Sequence, residues 1–343
     1  MERYLDLWTA KKLGMDAREL SREAIEEYQL RKIKETFQWA VSHSPFYAEL
    51  YQYKKLETWE DFRQLPFTTP QDTAERGGDM TCVPQSQISR IVTMETSGTT
   101  GKPKRIYFTE EDQELTKDFF HHGMRLLVDP SDTIIILMPC RRPGSIGDLL
   151  KTGLERLGAG VVPYGLPDGS REDDMKILKL MEKEKVTCAV ALPTQLAALA
   201  QKADGFQIPM KTVLLSAEYV SRESRTRIKK AWGCRVFEHY GMTEMGLGCA
   251  VSCPVLEGCH VREADLYLEI IDPKTGMPLP DGQEGEVAFT TLTRKGMPFI
   301  RYRTGDWSSF LPEPCSCGSL LKRLSRVGDR KLKKGLTKER EQR

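Results

Sequence analysis

The sequence has almost no excess charge, no long apolar run and no internal repeat. Its 343 residues include 51 basic and 49 acidic side chains, a formal net charge of +2, so no overall field attracts nucleic acid or an anionic membrane. No uncharged run approaches the roughly 20 residues that span a bilayer, and the charged N-terminus lacks the apolar segment of a secretory signal. We therefore expect a cytoplasmic protein that acts on small molecules, with neither a nucleic-acid nor a membrane partner.

The chain does contain the alternation that a large α/β domain requires. At 39% hydrophobic it can bury a core of ordinary size, and apolar runs alternate with amphipathic stretches, as in a mixed sheet flanked by helices. We predict strands at 89–93, 133–139, 160–163, 186–191, 212–216 and 235–239. We predict helices at 21–41, 110–127, 147–157, 170–184, 193–202 and 221–231. Shorter strands at 266–271 and 285–291 suggest three parts: an α/β body (1–240), a β-rich subdomain (241–329) and a charged tail (330–343).

The segment TSGTTGKPK at residues 96–104 combines four hydroxyl side chains, two glycines and two lysines. It lies between the apolar runs RIVTM and IYF, so we predict a loop that joins two strands. Glycine lets backbone N–H groups approach phosphate oxygens, while hydroxyls and lysine bind them directly. The Walker A spacing is absent. The segment predicts an anion-binding loop, and a polar surface turn is the alternative.

Three other strings follow this loop in order: LSAE at 215–218, YGMTE at 240–244 and YRTGD at 302–306. Together with TSGTTGKPK they resemble the motifs of the adenylate-forming superfamily of acyl-CoA synthetases, luciferases and peptide-synthetase adenylation domains. The resemblance implies that superfamily's large N-terminal domain, with mixed sheets flanked by helices and a β-rich subdomain. It also implies the reaction: a carboxylate attacks the α-phosphorus of ATP to give an acyl-adenylate, and coenzyme A then takes the acyl group.

The same resemblance assigns roles to residues of these strings. The phosphate-binding residues would be Ser97, Gly98, Thr99, Thr100, Gly101 and Lys102. The residues around adenine, ribose and the α-phosphate would be Ser216, Ala217, Glu218, His239, Tyr240, Gly241, Met242, Thr243, Asp306 and Arg326. We assign catalytic roles to Lys102, Thr243 and Glu244, with Glu244 as a ligand of Mg²⁺, which prefers oxygen donors. Arg330 competes with Arg326 for the ribose, and capping a helix or turn is the alternative role of Glu244 and Asp306.

Further strings, HSPFYAELY at 43–51 and FTTLTRKGMPFIRYRTGD at 289–306, resemble the phenylacetate-CoA ligase branch. This branch implies an aromatic or small carboxylic acid as the substrate. We expect the acyl pocket between residues 139–146, Tyr164, residues 193–194 and residues 241–248. Phe119, Phe120 and His122 are secondary candidates, because aromatic residues at helical spacing usually belong to a core. His239 either lines the pocket or satisfies a backbone group.

Nine cysteines are present, and in a reducing compartment clustered cysteines indicate metal binding or reactive thiols before disulfides. In this branch the matching residues resemble a structural zinc site, which implies that Cys253, His260, Cys315 and Cys317 form a Cys₃His tetrahedron. Cys249 and Cys259 are competing thiols. A set of buried cysteines without metal is the alternative.

Full-length members of the superfamily carry a C-terminal domain after a hinge, with a lysine that contacts the α-phosphate. Here the corresponding residues 326–335 read RVGDRKLKKG and lack the hinge's paired aspartates. Truncation, a separately encoded C-terminal partner and a short natural variant are the open explanations, and a homodimer is also open. Two other functions compete with acid–CoA ligation: a non-catalytic nucleotide-binding module, and an enzyme that transfers acyl groups to a protein thiol.

Overall fold

The protein is described by a computed structural model over residues 3–94 and 103–329. Within these ranges the helices are α1 Tyr4–Leu13, α2 Arg22–His43, α3 Pro45–Leu50, α4 Trp59–Arg63, α5 Pro70–Arg76, α6 Glu110–Met124, α7 Ile146–Leu157, α8 Arg171–Lys183, α9 Pro193–Ala200 and α10 Arg222–Trp232. The strands are β1 Arg90–Met94, β2 Lys104–Phe108, β3 Thr133–Leu137, β4 Gly160–Pro163, β5 Cys188–Ala191, β6 Thr212–Leu215, β7 Arg235–Tyr240, β8 Ala250–Val251, β9 Cys259–Val261, β10 Leu266–Ile271, β11 Gly285–Thr291, β12 Tyr302–Ser308, β13 Arg323–Leu324 and β14 Gly328–Asp329.

A large mixed sheet forms the centre of the fold. Its strand order is β13-β9-β8-β7-β6-β5-β3-β4. The five strands from β4 to β7 are parallel neighbours, whereas β8, β9 and β13 add on antiparallel. In parallel sheets of this kind ligands bind outside the carboxyl ends of the strands. The loops that follow β3, β5, β6 and β7 are therefore the expected place for a site.

The central strand β3 shows why these runs form buried strands. Because side chains alternate across a strand, Ile134 and Ile136 pack on one face with α6 and α7, and Ile135 and Leu137 pack on the other with α8 and α9. A strand covered on both faces reads as a continuous apolar run. Thr109 caps the start of helix α6, where its hydroxyl accepts from the backbone N–H of Asp112 in a capping box.

A second, four-stranded antiparallel sheet has the order β10-β11-β12-β14. A buried ion pair fixes the start of β12: the guanidinium of Arg301 donates to both carboxylate oxygens of Glu269, at 3.0 and 3.1 Å. Arg301 also donates to the carbonyl oxygen of Leu65, at 2.9 Å, so it joins the N-terminal helices to this sheet. Its position holds the next residue, Tyr302, in the protein interior.

The predicted fold class is confirmed, with mixed sheets flanked by helices and an antiparallel β-rich part. The strands predicted at 160–163, 266–271 and 285–291 have the predicted bounds. The division of the chain at residue 241 stays a prediction. Strands β8, β9 and β13 belong to the later part of the chain and extend the large sheet. None of the helices in the described ranges is long and apolar enough to cross a membrane.

Candidate active site

The segment that the sequence predicts to bind phosphate follows β1 and leads into β2, and these two strands pair antiparallel from Arg90↔Phe108 to Met94↔Lys104. The two predicted strands on either side of this segment are therefore confirmed. The loop residues themselves, Ser97, Gly98, Thr99, Thr100, Gly101 and Lys102, lie outside the described residues, so their roles stay predictions.

A buried carboxylate lies beside the foot of this hairpin. Glu244, in a short 3₁₀ turn at Thr243–Met245, is only 1% exposed. Its Oε1 lies 2.5 Å from Lys104 Nζ and accepts a hydrogen bond from the Tyr302 hydroxyl at 3.0 Å. Burial, and then the charge of Glu244, raise the pKa of Tyr302 well above its ordinary value, so this hydroxyl stays protonated and donates.

Sequence reasoning missed Lys104 and Tyr302 as members of this group. It selected Lys102 from the loop, although Lys104 is the second lysine of the same string. The available signal was position: Lys104 is the first residue of β2, and a strand residue has a more defined direction than a loop residue. Tyr302 opens the YRTGD string but was given no role of its own.

Next to this group, an open cleft of about 400 Å³ runs along the carboxyl ends of β6 and β7. It is large enough for a nucleotide. The predicted residues that line it are Ala217, Glu218, His239, Tyr240, Gly241, Asp306 and Arg326. Met242, Thr243 and Glu244 follow Gly241 directly, and Glu244 contacts Lys104 of the β1–β2 hairpin. Separate strings of the sequence thus come together at one edge of the sheet.

The wall of the cleft is fixed by contacts between these strings. The Tyr240 hydroxyl donates to Oδ2 of Asp306 at 2.9 Å. Burial, and then the Asp306 charge, raise the pKa of Tyr240, which keeps it a donor. On the opposite side Oε2 of Glu218 accepts from the Thr194 hydroxyl at 2.6 Å, which ties the turn after β6 to the start of α9.

Ala217 adopts φ +68°, a left-handed conformation that is rare for a residue with a side chain. Such backbone strain is concentrated at functional sites. It occurs here in the cleft wall, between Ser216 and Glu218. Arg326 lies at the cleft's outer edge, where its guanidinium donates to the Tyr219 hydroxyl at 3.4 Å.

His239 lies between the cleft and a second, apolar cavity, because it lines both. Its Nδ1 is 2.8 Å from the Ser216 hydroxyl, and its buried Nε2 has no hydrogen-bond partner in the described part of the chain. Burial, and then the positive charge of Arg262, lower the pKa of His239 to about 4. The ring is therefore neutral at pH 7 and is not an anchor for phosphate.

The lowered pKa of His239 predicts acid sensitivity. The unfolded chain, with an ordinary histidine pKa of about 6.5, binds more protons than the folded chain between about pH 6.5 and 4. The free energy of unfolding should therefore fall as the pH is lowered through this range, by at most about 3 kcal/mol from this group. Denaturant unfolding at several pH values should show a shallower fall for His239→Gln than for the wild type. Equal slopes would exclude this role of His239.

The apolar cavity is narrow: it leaves about 30 Å³ for the centres of water-sized spheres, within a void of about 440 Å³ that includes its opening to solvent. Its walls come from α6, α7 and the sheet: Phe119, Phe120, Gly123, Met124, Met138, Ile146, Leu150, Val190, Leu214, Ser216, His239 and Val251. Phe119 and Phe120, the secondary candidates, thus line it. Tyr164 and residues 193–194 do not line it. His122 instead stacks on Trp8, with ring centroids 5.7 Å apart.

Four potential metal ligands converge between β9 and β13. The ligand atoms of Cys253, His260, Cys315 and Cys317 all lie within 4.8 Å of one another. Cys253 and Cys315 sulfurs are 3.7 Å apart, close to the edge of roughly 3.8 Å of a tetrahedron with Zn–S bonds of about 2.3 Å. Nδ1 of His260 lies 3.2 Å from the Leu321 carbonyl oxygen, which leaves Nε2 toward the sulfurs. The competing thiols Cys249 and Cys259 lie outside this group.

Comparison with known proteins identifies the family to which the chain is similar. The sequence profile of the family described as AMP-binding enzyme matches residues 20–292. Phenylacetate-coenzyme A ligase of Escherichia coli is 28% identical over 322 residues, 90% of this chain and 71% of that protein. Phenylacetate-coenzyme A ligase of Thermus thermophilus is 29% identical, over 87% of this chain and 68% of that protein. A structure of 2-hydroxyisobutyryl-CoA ligase with 2-HIB-AMP and CoA has a TM-score of 0.80 at 23% identity, over 90% of this chain and 68% of that one.

Proposed function

The chain belongs to the AMP-binding enzyme family, and from that membership we propose that it is an AMP-forming acid–CoA ligase. It uses ATP to convert a carboxylic acid to an acyl-adenylate and then transfers the acyl group to coenzyme A. One observation carries this proposal: the nucleotide-sized cleft and the apolar cavity meet at His239. An acid bound in the cavity can therefore direct its carboxylate to a nucleotide in the cleft.

In the first step a carboxylate oxygen attacks the α-phosphorus of ATP. A bond forms between this carboxylate oxygen and the α-phosphorus. The bond from the α-phosphorus to the oxygen that bridges to the β-phosphorus breaks, and pyrophosphate leaves. In the second step the thiol of coenzyme A loses its proton to solvent and its sulfur attacks the acyl carbon. The bond from that carbon to the phosphate oxygen of AMP breaks, and AMP leaves. Neither step uses a protein nucleophile, so the enzyme acts by positioning the reactants and neutralising charge.

The residues of the site divide this work. Tyr240 lies in the adenine-binding wall, and Asp306 accepts hydrogen bonds from the ribose hydroxyls, with Arg326 beside it. Thr243 contacts the α-phosphate. Lys104, which now neutralises Glu244, supplies positive charge to the phosphates together with Lys102 of the loop.

Glu244 fits a magnesium ligand, since its carboxylate is a hard oxygen donor next to the phosphate loop. A bound Mg²⁺ ion would neutralise phosphate charge. The contacts with Lys104 and Tyr302 hold Oε1 of Glu244 in one orientation. We propose this role for Glu244 in preference to a capping role.

We further propose that Cys253, His260, Cys315 and Cys317 hold a structural Zn²⁺ ion. The four donors match a closed tetrahedral site, and the backbone contact to Nδ1 of His260 is the kind of outer interaction that orients a metal-bound imidazole. Thiolate ligands stay reduced in the cytoplasm, the compartment that we propose. Partners beyond the small-molecule acid, a separate C-terminal domain or a second copy, stay predictions.

The proposal is tested by exchange of labelled pyrophosphate into ATP in the presence of single acids, including phenylacetate, benzoate, propionate and acetate. At least one acid should stimulate the exchange. ATP binding without exchange for any acid in the panel would instead favour a non-catalytic nucleotide-binding protein.

Asp306→Ala should weaken ATP binding by about 10- to 100-fold, because hydrogen bonds to a charged group contribute about 1.5–3 kcal/mol. The measurement is the ATP concentration dependence of the exchange reaction, together with calorimetric binding of ATP. Asp204→Ala, at an exposed position outside the cleft, is the matched control. If Asp306→Ala binds ATP with unchanged affinity, Asp306 does not bind the ribose.

A further inference from the structure

Helix α6 forms one wall of the apolar cavity and carries a glycine there. Gly123 lies in the last turn of the helix, between the lining residues Phe120 and Met124. A Cβ atom built on Gly123 would have one neighbour within 4 Å, Cγ1 of Val251 at 3.5 Å, which is an ordinary van der Waals contact. Its backbone is helical rather than left-handed. Neither space nor conformation therefore excludes alanine.

Gly153 of the neighbouring helix α7 differs in this respect. A Cβ there would lie 3.0 Å from the backbone nitrogen of His121 and 3.1 Å from the carbonyl oxygen of Lys117. Close packing of α7 against α6 thus explains Gly153. No such contact explains Gly123, although glycine stabilises a helix less than alanine does.

The position of Gly123 shows which part of the cavity a side chain there would occupy. Its Cβ would point at Val251 of β8, which pairs with His239 of β7. His239 is the residue at which the cavity meets the cleft. A side chain at position 123 would therefore narrow the gap between α6 and the sheet close to the reacting carboxylate.

We propose that Gly123 determines the size of the acyl group, by keeping this gap open for an acid whose acyl part is uncharged and carries a ring or branch near the carboxylate. The inference rests on the proposed ligase function. The cavity supports the substrate class, because apolar side chains dominate the lining, none of its residues is acidic, Lys or Arg, and its one histidine is neutral. Small acids such as acetate need no such gap.

The test compares Gly123→Ala and Gly123→Val with the wild type on acids of increasing bulk. For phenylacetate and benzoate, kcat/KM should fall at least 10-fold in Gly123→Ala and further in Gly123→Val. For acetate and propionate it should change less than 3-fold. The Tm of Gly123→Ala should be unchanged or higher, which separates this effect from misfolding. Gly78→Ala is the control, since a Cβ at Gly78 meets nothing within 4 Å and Gly78 lies outside the cavity.

Equal losses for all four acids, or no loss for any, would overturn the proposal. Binding of phenylacetate and benzoate by calorimetry tests it independently of turnover. If the wild type binds these acids without catalysing exchange, the ligase function fails, and weaker binding to Gly123→Ala with intact ATP binding still supports the role of Gly123. Equal binding to both proteins, or no binding to the wild type, contradicts it.

Discussion

Replacing Glu244 by glutamine is expected to slow acid-dependent pyrophosphate exchange by a factor of about 10² to 10³, the scale of the loss when one preorganised group that stabilises a transition state is removed. The carboxylate is 1% exposed and is held by Lys104 and Tyr302. Glutamine keeps the shape but removes the charge that a magnesium ion requires. The Mg²⁺ concentration for half-maximal rate should therefore rise along with the loss in rate.

The exchange reaction measured over a range of Mg²⁺ concentrations checks this prediction. A buried charge pair is also broken by the change, so protein stability must be followed in parallel. Glu263→Gln is the matched control, because Glu263 is likewise buried and paired, with Arg22 at 2.6 Å, but lies away from the cleft and the hairpin. Glu244→Gln with full activity, or with a loss equal to that of the control, would refute a catalytic role for Glu244.

Loss of the proposed zinc ion is expected to have the largest effect on stability. In the double variant Cys315→Ser, Cys317→Ser two of the four donors lose their affinity for zinc, and structural zinc contributes on the order of 10 kcal/mol to folding in small zinc domains. In this larger protein we expect the segment from Cys253 to His260 and strand β13, which pairs with β9, to separate first. The unfolding midpoint should fall and the variant should contain less than one tenth of the wild-type zinc.

Elemental analysis of the purified protein and denaturant unfolding provide these two readouts. Cys140→Ser, at a half-buried thiol outside the cluster, should retain both zinc and stability. The proposal fails if the wild type, purified without chelators, contains no stoichiometric zinc and the double variant is as stable as the wild type. The cluster would then be a set of buried thiols without metal.

The periodicity of the sequence was enough to predict the strands of the large sheet that run through the core. Strand β6, for example, begins at the predicted residue and is buried at every position. Such a strand can be predicted because a buried parallel strand is a continuous apolar run between turn signals. Strands β8 and β13 were not predicted. Each has two residues, which is too short for any periodicity, and their pairing depends on contacts distant in sequence.

The cleft was predicted better than the cavity. Tyr240 and Asp306 belong to strings whose order resembles a family, so their meeting in one cleft could be expected before the structure was known. Phe119, Phe120 and Gly123 belong to an ordinary amphipathic helix, and the sequence does not say which part of its apolar face meets a cavity. Likewise the string TSGTTGKPK contains two lysines, and only the hairpin geometry brings Lys104 to Glu244.

The central claim, that the carboxylate attacks the α-phosphorus of ATP, is tested most directly by isotope transfer. An acid that supports exchange is labelled with oxygen-18 in both carboxylate oxygens and is converted to its CoA thioester, and the AMP is analysed by mass spectrometry. The account predicts AMP with one oxygen-18 atom in its phosphate and unlabelled pyrophosphate. Formation of ADP, or transfer of the label to inorganic phosphate, would show attack at the γ-phosphorus and would contradict the account.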